Sequence, residues 1–460
     1  MDPSIFRQYD IRGLVGDNFN EKSVGLIARA YGSIMKRRGH RRFAVGRDVR
    51  LTSAPFAAAL TEGLLSCGLD VIDLGVVPTP FVYYAILQEK LDGGVMVTGS
   101  HNPIDYNGLK LCEGKLALWG EQIQEIRKVA EAEDFESATG EGSASTLDIF
   151  PKYRDDLLGR FDFGARRKIV VDCGNGVGGP VIPGLLREAG HEVIELYTEP
   201  DGTFPNHLPD PEVPEYMKDL VAKVKSEGAD IGLGYDGDAD RLGIIDENGR
   251  KISADWLVTV FARDLLTRHP GGIVRYDIKC SDFLEDEIRA AGGKPVMGQT
   301  GHSILKKDMA ALDAILGGEL SGHIVFGREW YPIDDPFFCA FELLRLMETK
   351  GCRVSGLFEG IPETFSTAEI KVAVPEDRKF VIVEELVKSF TADFQVNDVD
   401  GARVRMKEGW GLVRASNTTA NLTIRFESLT QAGLESIRAV FLKRLEPYSE
   451  LDLSRVREAF

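Results

Sequence analysis

A pattern of strand-like segments that end in polar loops occurs three times along the chain, and it constrains the fold more than any other feature. In each copy, a second apolar run follows the first after a longer helical stretch. The first runs are FAVGRD, IVVDCGNG and IVRYDIK, and the second runs are VMVTGSHNP, IGLGYDGDAD and AILGGELSGH. Strands alternating with helices are typical of an α/β fold, whose ligands bind at the carboxyl ends of the strands. We therefore expect three related α/β units that each present one such loop.

Length and local composition divide the chain further. A chain of 460 residues is too long for a single hydrophobic core, which predicts two to four domains. Boundaries are expected in the linker-like ESATGEGSAST, near DENGRKIS and near EGIPETFST. The last unit differs from the others, with the strand-like NLTIRF and a final helix. That helix carries an apolar face at helical spacing formed by Leu434, Ile437, Phe441 and Leu445. The predicted units are residues 1–146, 147–251, 252–364 and 365–460.

Charge and cysteine usage exclude several classes of partner. The net charge of −17 argues against nucleic acid or an anionic membrane, because both require a basic surface. An anionic small molecule would need local arginines and backbone N–H groups. The six cysteines are scattered, with no Cys-x-x-Cys pair, and no signal segment or long apolar run is present. We therefore expect a cytoplasmic protein, and the sequence indicates no protein partner.

The densest motif is DGDADR, which contains the carboxylates Asp236, Asp238 and Asp240. On a turn after a strand these three side chains can converge, and they then suit Mg²⁺ or another hard divalent cation. An EF-hand loop is an alternative, since Glu247 stands at its twelfth position. Its sixth position requires glycine, however, and this chain has Arg241 there. A solvated acidic turn is the remaining alternative.

The motif TGSHNP places Ser100 beside His101 at the end of another strand. By itself it is equally well explained as a strand-to-helix turn or as a site with a nucleophilic hydroxyl, because catalytic triads assemble in space and not in sequence. A serine on a glycine turn together with a three-carboxylate metal loop suits phosphoryl transfer. This combination favours the nucleophile.

Two further loops could bind a phosphorylated sugar. GGELSGH offers Glu319, Ser321 and His323, and a carboxylate with a hydroxyl is a common grip on sugar hydroxyls; an edge turn is the alternative. RASNTT offers a guanidinium, hydroxyls and N–H groups suited to phosphate, although a hairpin turn is also consistent with it. Its candidate residues are Arg414, Ser416, Asn417 and Thr418.

Together these loops make the chain resemble the α-D-phosphohexomutase family, specifically its bacterial phosphomannomutase/phosphoglucomutase branch. The resemblance covers nearly the whole chain, with the motifs in the family's order. They are FRQYDIRG, VGRDVR, TGSHNP, DGDADR, QTGHS, GGELSGH and GLVRASNTT.

The resemblance implies a fold and an activity. The fold would consist of three related mixed α/β domains plus a smaller C-terminal α+β domain around a central cleft. The activity would be a mutase that interconverts hexose 1-phosphate and hexose 6-phosphate, of mannose, glucose or both. Its phosphoserine would exchange a phosphoryl group with the sugar through a glucose or mannose 1,6-bisphosphate. A phosphoglucosamine mutase, a phosphatase using the same serine, and a metal- and sugar-phosphate-binding protein without turnover remain alternatives.

The resemblance also assigns roles to residues. Ser100 would carry the phosphoryl group, and its phosphate would complete the Mg²⁺ site with Asp236, Asp238 and Asp240. Lys110 and His101 would lie near the phosphoserine, Arg241 would stabilise the transferring group, and His302 would be a candidate proton carrier. The sugar's 3- and 4-hydroxyls would be held by Glu319, Ser321 and His323. The phosphate that does not react would be held by the loop of Arg414, Ser416, Asn417 and Thr418. The cleft would be lined by Tyr9, Arg12, Lys110, Arg241, Lys279 and His302.

Two positions depart from the family pattern. The metal loop has Ala239 where the family often has glycine, which is compatible with an intact site if this residue keeps a negative φ. After the Asp-Asp pair the family often has glycine, whereas this chain has Pro336. Because proline fixes φ and removes an N–H, no role is assigned to that segment.

Overall fold

The computed structural model describes residues 1–137, 140, 142–416 and 419–459. These residues form four β-sheets that follow one another along the chain, each with its own helices. We call each sheet with its helices a domain, from I to IV. The arrangement confirms the predicted fold class of three α/β units followed by a different C-terminal unit, while the exact boundaries between them remain predictions.

Domain I contains seven strands and four helices. The strands are β1 (Ile11–Leu14), β2 (Arg42–Arg47), β3 (Asp70–Val76), β4 (Gly93–Val97), β5 (Tyr106–Glu113), β6 (Leu116–Ala117) and β7 (Ala144–Thr146). The helices are α1 (Glu21–Arg37), α2 (Ser53–Ser66), α3 (Thr79–Gln88) and α4 (Glu121–Ala132). The strand order is β1-β5-β4-β2-β3-β7, with β6 beside β5. The edge strand β7 lies within the segment predicted to be a linker, and it pairs in parallel with β3.

Domains II and III have smaller sheets. Domain II has the strands β8 (Lys168–Asp172), β9 (Glu192–Leu196), β10 (Ile231–Tyr235), β11 (Leu242–Asp246) and β12 (Lys251–Ile252), and the helices α5 (Phe150–Leu158), α6 (Ile182–Glu188) and α7 (Lys218–Glu227). Domain III has the strands β13 (Ile273–Asp277), β14 (Lys294–Gly298), β15 (Leu316–Gly318) and β16 (Ile324–Phe326), and the helices α8 (Ala254–Arg268), α9 (Asp282–Ala290), α10 (His302–Leu312), α11 (Pro336–Lys350) and α12 (Val354–Leu357). Short 3₁₀ helices occupy Pro3–Ile5 and Pro214–Met217.

Domain IV has an antiparallel sheet and is the α+β unit. Its strands are β17 (Phe365–Ser366), β18 (Ile370–Ala373), β19 (Gln395–Asn397), β20 (Ala402–Arg405), β21 (Gly409–Ala415) and β22 (Asn421–Ser428). Its helices are α13 (Lys379–Thr391), α14 (Gln431–Leu445) and α15 (Ser454–Arg457). The predicted apolar face of the final long helix is confirmed, because the four residues named above are the large apolar side chains that α14 buries.

The first three sheets share one strand order. In each, three parallel strands are followed by a fourth that returns antiparallel to the third: β3-β2-β4-β5, β9-β8-β10-β11 and β14-β13-β15-β16. The turn between the third and fourth strands therefore lies at the carboxyl edge of every sheet. These turns contain TGSHNP, DGDADR and ELSGH, so the repeat predicted from the sequence places the three candidate loops at equivalent positions.

The hydrophobic cores show which domains are joined most firmly. One continuous cluster of buried apolar side chains runs through domains I, II and III, whereas domain IV has its own core. A small cluster of Ile278, Trp410 and Leu412 links domain IV to domain III. Arg403 strengthens this contact, since its guanidinium donates to the carbonyls of Ile278 and Cys280. Domain IV is thus attached mainly through polar contacts.

Proline and aspartate define the start of helix α11. Asp335 is its N-cap and accepts from the backbone N–H groups of Phe337 and Phe338, while Pro336 occupies the first turn, where no N–H is needed. The proline that departs from the family pattern is therefore explained by helix geometry. No helix in the described part of the chain is long and apolar enough to span a membrane.

Candidate active site

The turn between β4 and β5 presents Ser100 in a strained conformation. Its φ is +48°, in the left-handed region that non-glycine residues rarely adopt, and Thr98 Oγ1 accepts its N–H at 2.7 Å. The hydroxyl donates to Asp236 Oδ2 at 2.9 Å and lies 3.0 Å from Nδ1 of His101. Strain at a buried side chain that reaches another domain indicates a functional position.

His101 is neutral beside this hydroxyl. Burial, together with the guanidinium groups of Arg241 and Arg12, holds the pKa of His101 well below its usual range. A neutral imidazole can exchange a hydrogen bond with Ser100 without adding charge to the site. Arg12 also contacts the serine loop, donating to the carbonyl of Gly99 at 3.3 Å while pairing with Asp10 at 2.6 Å.

Arg50 holds the serine loop in place through hydrogen bonds to its backbone. No single sequence motif indicated this role. Its guanidinium donates to four carbonyls of the loop, at 2.5–2.9 Å: those of Ser100, Asn102, Pro103 and Tyr106. Asp48 completes the support by accepting from Thr98 Oγ1 at 2.8 Å and from Gly99 N at 3.1 Å. Both residues follow β2, in the motif VGRDVR, at the same edge of the sheet. The serine conformation therefore depends on a buried Asp–Arg anchor.

Replacing Arg50 by lysine should lower kcat about 10- to 100-fold, because one ammonium cannot serve four carbonyls and buried acceptors would lose their partners. Steady-state kinetics and thermal unfolding of the purified variant would measure the effect. Arg47→Lys is a matched control at the end of the same strand, where the arginine makes a single half-buried contact with Asp73. An Arg50→Lys enzyme with the kcat of the unmodified protein would contradict the anchoring role.

The turn between β10 and β11 brings three carboxylates together. Asp236, Asp238 and Asp240 are almost fully buried, and one oxygen from each lies within 4.8 Å of the others. Lys110, from β5 of domain I, places its ammonium against Oδ2 of Asp238 at 2.6 Å and also contacts Asp240. Strand β11 begins directly after Arg241, so the alternative of an EF-hand loop is excluded.

Charge at this cluster is not balanced by the protein. Two cations, Lys110 and Arg241, face three buried carboxylates, and Oδ1 of both Asp238 and Asp240 lacks a hydrogen-bond partner. Burial and the two neighbouring carboxylates raise the pKa of Asp236 well above its ordinary value. Such unpartnered, mutually repelling oxygens fit a hard divalent cation.

Thr79 contributes to the cluster from domain I. Threonine at the start of a helix often serves as its N-cap, but the N-cap residue of α3 is Pro78. The Thr79 hydroxyl instead donates to Asp238 Oδ2 at 2.6 Å, and its N–H donates to the carbonyl of the same aspartate at 2.9 Å. The three-carboxylate loop of domain II is thus bound to domain I.

Ala239 also differs from expectation. The sequence argument required a negative φ at this alanine, whereas its φ is +50° and its side chain is fully buried. The left-handed conformation costs an alanine about 1 kcal/mol relative to glycine. The three carboxylates nevertheless converge, so the loop tolerates this strain.

The turn between β15 and β16 adds sugar-binding candidates. Glu319 is buried and accepts the backbone N–H of Gly301, while Ser321 Oγ lies 3.4 Å from its carboxylate. His323 Nε2 accepts from Arg241 Nε at 3.1 Å, so Nδ1 of this histidine carries the ring proton. The three-carboxylate loop and the loop of Glu319 therefore meet through the pair Arg241–His323.

Asp334 and Lys306 form a buried ion pair close to His323 and His302. The sequence motifs did not identify this pair. Asp334 Oδ1 pairs with the ammonium of Lys306 at 2.9 Å, and its Oδ2 lies 3.2 Å from His323 Nδ1 and 3.7 Å from His302 Nδ1. Burial and the Lys306 charge hold the pKa of His302 well below its usual range. His302 is therefore a neutral imidazole. A weak signal existed, since Asp334 belongs to the WYPIDDPFF segment to which no role was assigned.

The remaining predicted residues lie where domains III and IV meet. Lys279 pairs with Glu369 at 2.7 Å and Arg414 pairs with Asp400 at 2.9 Å, while the Tyr9 hydroxyl donates to the carbonyl of Thr300. Ser416 accepts from the Thr419 hydroxyl at 2.8 Å. The candidates Asn417 and Thr418 fall outside the described residues. The structure therefore brings the serine, the carboxylates, Lys110, Arg241, His101 and His323 into contact, and His302 stacks on His323. It places Lys279 and Arg414 in ion pairs with carboxylates of domain IV.

Comparison with known families decides the relationship. Four models of the phosphoglucomutase/phosphomannomutase family match in order: alpha/beta/alpha domain I at residues 3–137, domain II at 151–249, domain III at 253–365 and the C-terminal domain at 369–444. The chain belongs to this family. The fold and family predicted from the sequence motifs are confirmed, and the chain is an enzyme of the phosphosugar mutase class.

Individual members of the phosphoglucomutase/phosphomannomutase family are similar over the full length. A phosphomannomutase/phosphoglucomutase of Pseudomonas aeruginosa is 45% identical over 444 residues, which cover 96% of each chain. A phosphoglucomutase of Neisseria meningitidis is 39% identical over 445 residues, also 96% of each chain. The crystal structure of a phosphoglucomutase/phosphomannomutase family protein from Burkholderia thailandensis superposes with a TM-score of 0.91 at 37% identity, covering 98% of this chain and 99% of that one.

Proposed function

We propose that the protein interconverts the 1- and 6-phosphates of mannose and of glucose through a phosphorylated Ser100 and a hexose 1,6-bisphosphate. The observation that carries this proposal is the contact between Ser100 Oγ and Asp236, which joins a nucleophile of domain I to the three-carboxylate loop of domain II. The names of the similar proteins from Pseudomonas and Neisseria support mannose and glucose as the sugars.

We propose that Asp236, Asp238 and Asp240 hold Mg²⁺ together with an oxygen on Ser100. The two unpartnered carboxylate oxygens and the uncompensated negative charge fit such an ion. When bound, Mg²⁺ would neutralise charge on the transferring phosphoryl group. Lys110 would also neutralise charge there, because its ammonium lies between two of the carboxylates.

The transfer itself would depend on groups that stabilise charge and move a proton. A sugar hydroxyl attacks the phosphoryl group, which leaves Ser100, and Arg241 lies within reach to stabilise the charge that spreads over the oxygens. The hydroxyl must lose its proton, and neutral His302 is our candidate to accept it. His101 would keep the serine oxygen oriented. The second phosphoryl transfer returns a phosphate to Ser100 after the bisphosphate has turned in the cleft.

The substrate would be held at both ends. We assign the sugar hydroxyls to Glu319, Ser321 and His323. The phosphate that does not react is assigned to the loop of Arg414, Ser416, Asn417 and Thr418. Tyr9, Arg12 and Lys279 would line the cleft between them. Because the phosphate at either end of the sugar must bind to the same loop, a site that recognises any phosphate suits the reaction better than a pocket specific for one sugar shape. The cytoplasm remains the predicted location, which agrees with six free thiols.

A coupled assay with the 1-phosphates of mannose, glucose and glucosamine, with and without a trace of the bisphosphate, tests the proposal. We expect turnover of the mannose and glucose compounds and stimulation by the bisphosphate. Turnover of glucosamine 1-phosphate alone would establish a phosphoglucosamine mutase instead. Steady release of inorganic phosphate would establish a phosphatase, and sugar phosphate binding without turnover would contradict enzymatic function altogether.

A further inference from the structure

The loop after β14 is the point where three domains meet. The carbonyl of Thr300, in domain III, accepts the hydroxyl of Tyr9 from domain I. The N–H of the same residue donates to Asp400 Oδ2 of domain IV at 3.0 Å. The next residue, Gly301, has a φ of +138°, and a Cβ there would lie 2.5 Å from the Tyr9 ring. This close approach therefore requires glycine.

Two carboxylates bind consecutive N–H groups of this loop. Asp400 accepts from Thr300, and Glu319 accepts from Gly301. Consecutive Cα atoms of a trans chain are about 3.8 Å apart, so the two carboxylates are held by adjacent residues of one loop. Asp400 also accepts from Arg414 Nε at 2.9 Å and from its Nη2 at 3.4 Å. A continuous hydrogen-bonded path thus connects Arg414 to Glu319.

Burial makes the contacts of Asp400 effective. Its side chain is 12% exposed and that of Arg414 is 7% exposed. Hydrogen bonds between ionised groups are about twice as strong as neutral ones, and two contacts along one edge fix the plane of a guanidinium. Asp400 therefore orients Arg414 and at the same time holds domain IV against the loop of domain III.

We propose that Asp400 is a positioning residue that sets the separation between the guanidinium of Arg414 and the carboxylate of Glu319. This inference rests on the proposed function, in which a hexose phosphate contacts both groups at once, its phosphate at Arg414 and its hydroxyls at Glu319. Inorganic phosphate would need only the Arg414 end. Asp400 therefore matters for hexose phosphates and much less for phosphate alone.

Simple electrostatics predicts the opposite effect. Removing a negative charge beside Arg414 would strengthen the attraction of any anion to this guanidinium. A positioning role requires that hexose phosphate binding becomes weaker although the site becomes more positive. The sign of the change in KM therefore distinguishes the two explanations.

The test compares Asp400→Asn with Asp398→Asn, an exposed aspartate two residues earlier in the same turn. For Asp400→Asn we expect the KM for glucose 1-phosphate to rise about tenfold, as loss of a charge-assisted contact would produce, with a much smaller change in kcat. Competitive inhibition by inorganic phosphate should change little. Asp398→Asn should match the unmodified protein, and Asp400→Glu, which keeps the charge, should recover part of the affinity.

Several results would overturn the inference. A lower KM in Asp400→Asn would show that charge alone acts at this position, and an unchanged KM would show that Asp400 does not position Arg414. Equal weakening of hexose phosphate and inorganic phosphate would show that no spacing is set. Loss of the cooperative unfolding transition in Asp400→Asn would show a structural role instead. If the unmodified protein has no turnover, the proposed function fails, and calorimetric binding of the same two ligands then decides the role of Asp400.

Discussion

Replacing Ser100 by alanine should lower mutase activity by at least about 10³-fold and remove the phosphorylated form of the protein. The hydroxyl is the group that would carry the phosphoryl group between the two ends of the sugar, and it contacts the carboxylate cluster through Asp236. Removal of a covalent nucleophile is among the largest single losses in enzymes. The coupled assay measures the loss of activity. The intact mass measures the loss of phosphorylation, because the unmodified protein should carry one added phosphoryl group that the Ser100→Ala protein lacks.

Ser145→Ala is the matched control, because this serine is exposed on the edge strand β7 of the same domain. It should keep both activity and the phosphoryl increment. An active Ser100→Ala protein would contradict the assignment of the nucleophile. An inactive one that still carried the phosphoryl group would place the phosphorylated residue elsewhere.

Replacing Asp238 by asparagine should lower activity at least about 100-fold and abolish stabilisation of the protein by Mg²⁺. Metal ions supply several kcal/mol of charge stabilisation in the transition state, and an amide oxygen is a poor substitute for a carboxylate. Because a ligand that binds only the folded state raises its stability, the unmodified protein should unfold at a higher temperature as Mg²⁺ increases. Thermal unfolding with EDTA and with increasing Mg²⁺ measures the second effect without any turnover.

The unfolding temperature without metal provides a further check. In EDTA, loss of the Asp238 charge relieves repulsion from Asp236 and Asp240 but weakens the contact with Lys110, so the unfolding temperature should change little. Asp377→Asn, at an exposed aspartate of domain IV, should keep the full response to Mg²⁺. A Mg²⁺-dependent rise in unfolding temperature that survives in Asp238→Asn would locate the metal at other residues.

The repeat made the fold predictable, because hydrophobic runs that end in polar loops follow directly from parallel strands with a ligand edge. Short-range signals were less reliable. Threonine is a common helix cap, yet the hydroxyl of Thr79 at the start of α3 donates to a carboxylate 159 residues away. Ala239 was expected at negative φ, yet the convergence of the carboxylates imposes a positive one. In both cases a tertiary contact outweighed the local preference.

The candidate site residues were predictable where one sequence motif contains all the groups that act together, as the three aspartates of DGDADR do. It was not predictable where a residue acts by holding another one. Arg50 binds carbonyls that lie 50–56 residues further along the chain, and Asp400 binds an N–H that lies 100 residues earlier. Backbone N–H and carbonyl groups occur at nearly every residue, so the sequence does not show which of them a side chain will bind. Only the folded structure identifies these partners.

The division of the site between domains has a consequence for biosynthesis. The anchor of Asp48 and Arg50 and the loop that they hold all lie within the first 106 residues, so the groups that hold Ser100 in its strained conformation are synthesised first. Domains generally fold as units in the order in which they are synthesised. Asp236 emerges much later, and Arg414 later still. The complete site can therefore assemble only after Arg414 has been synthesised, near the end of translation.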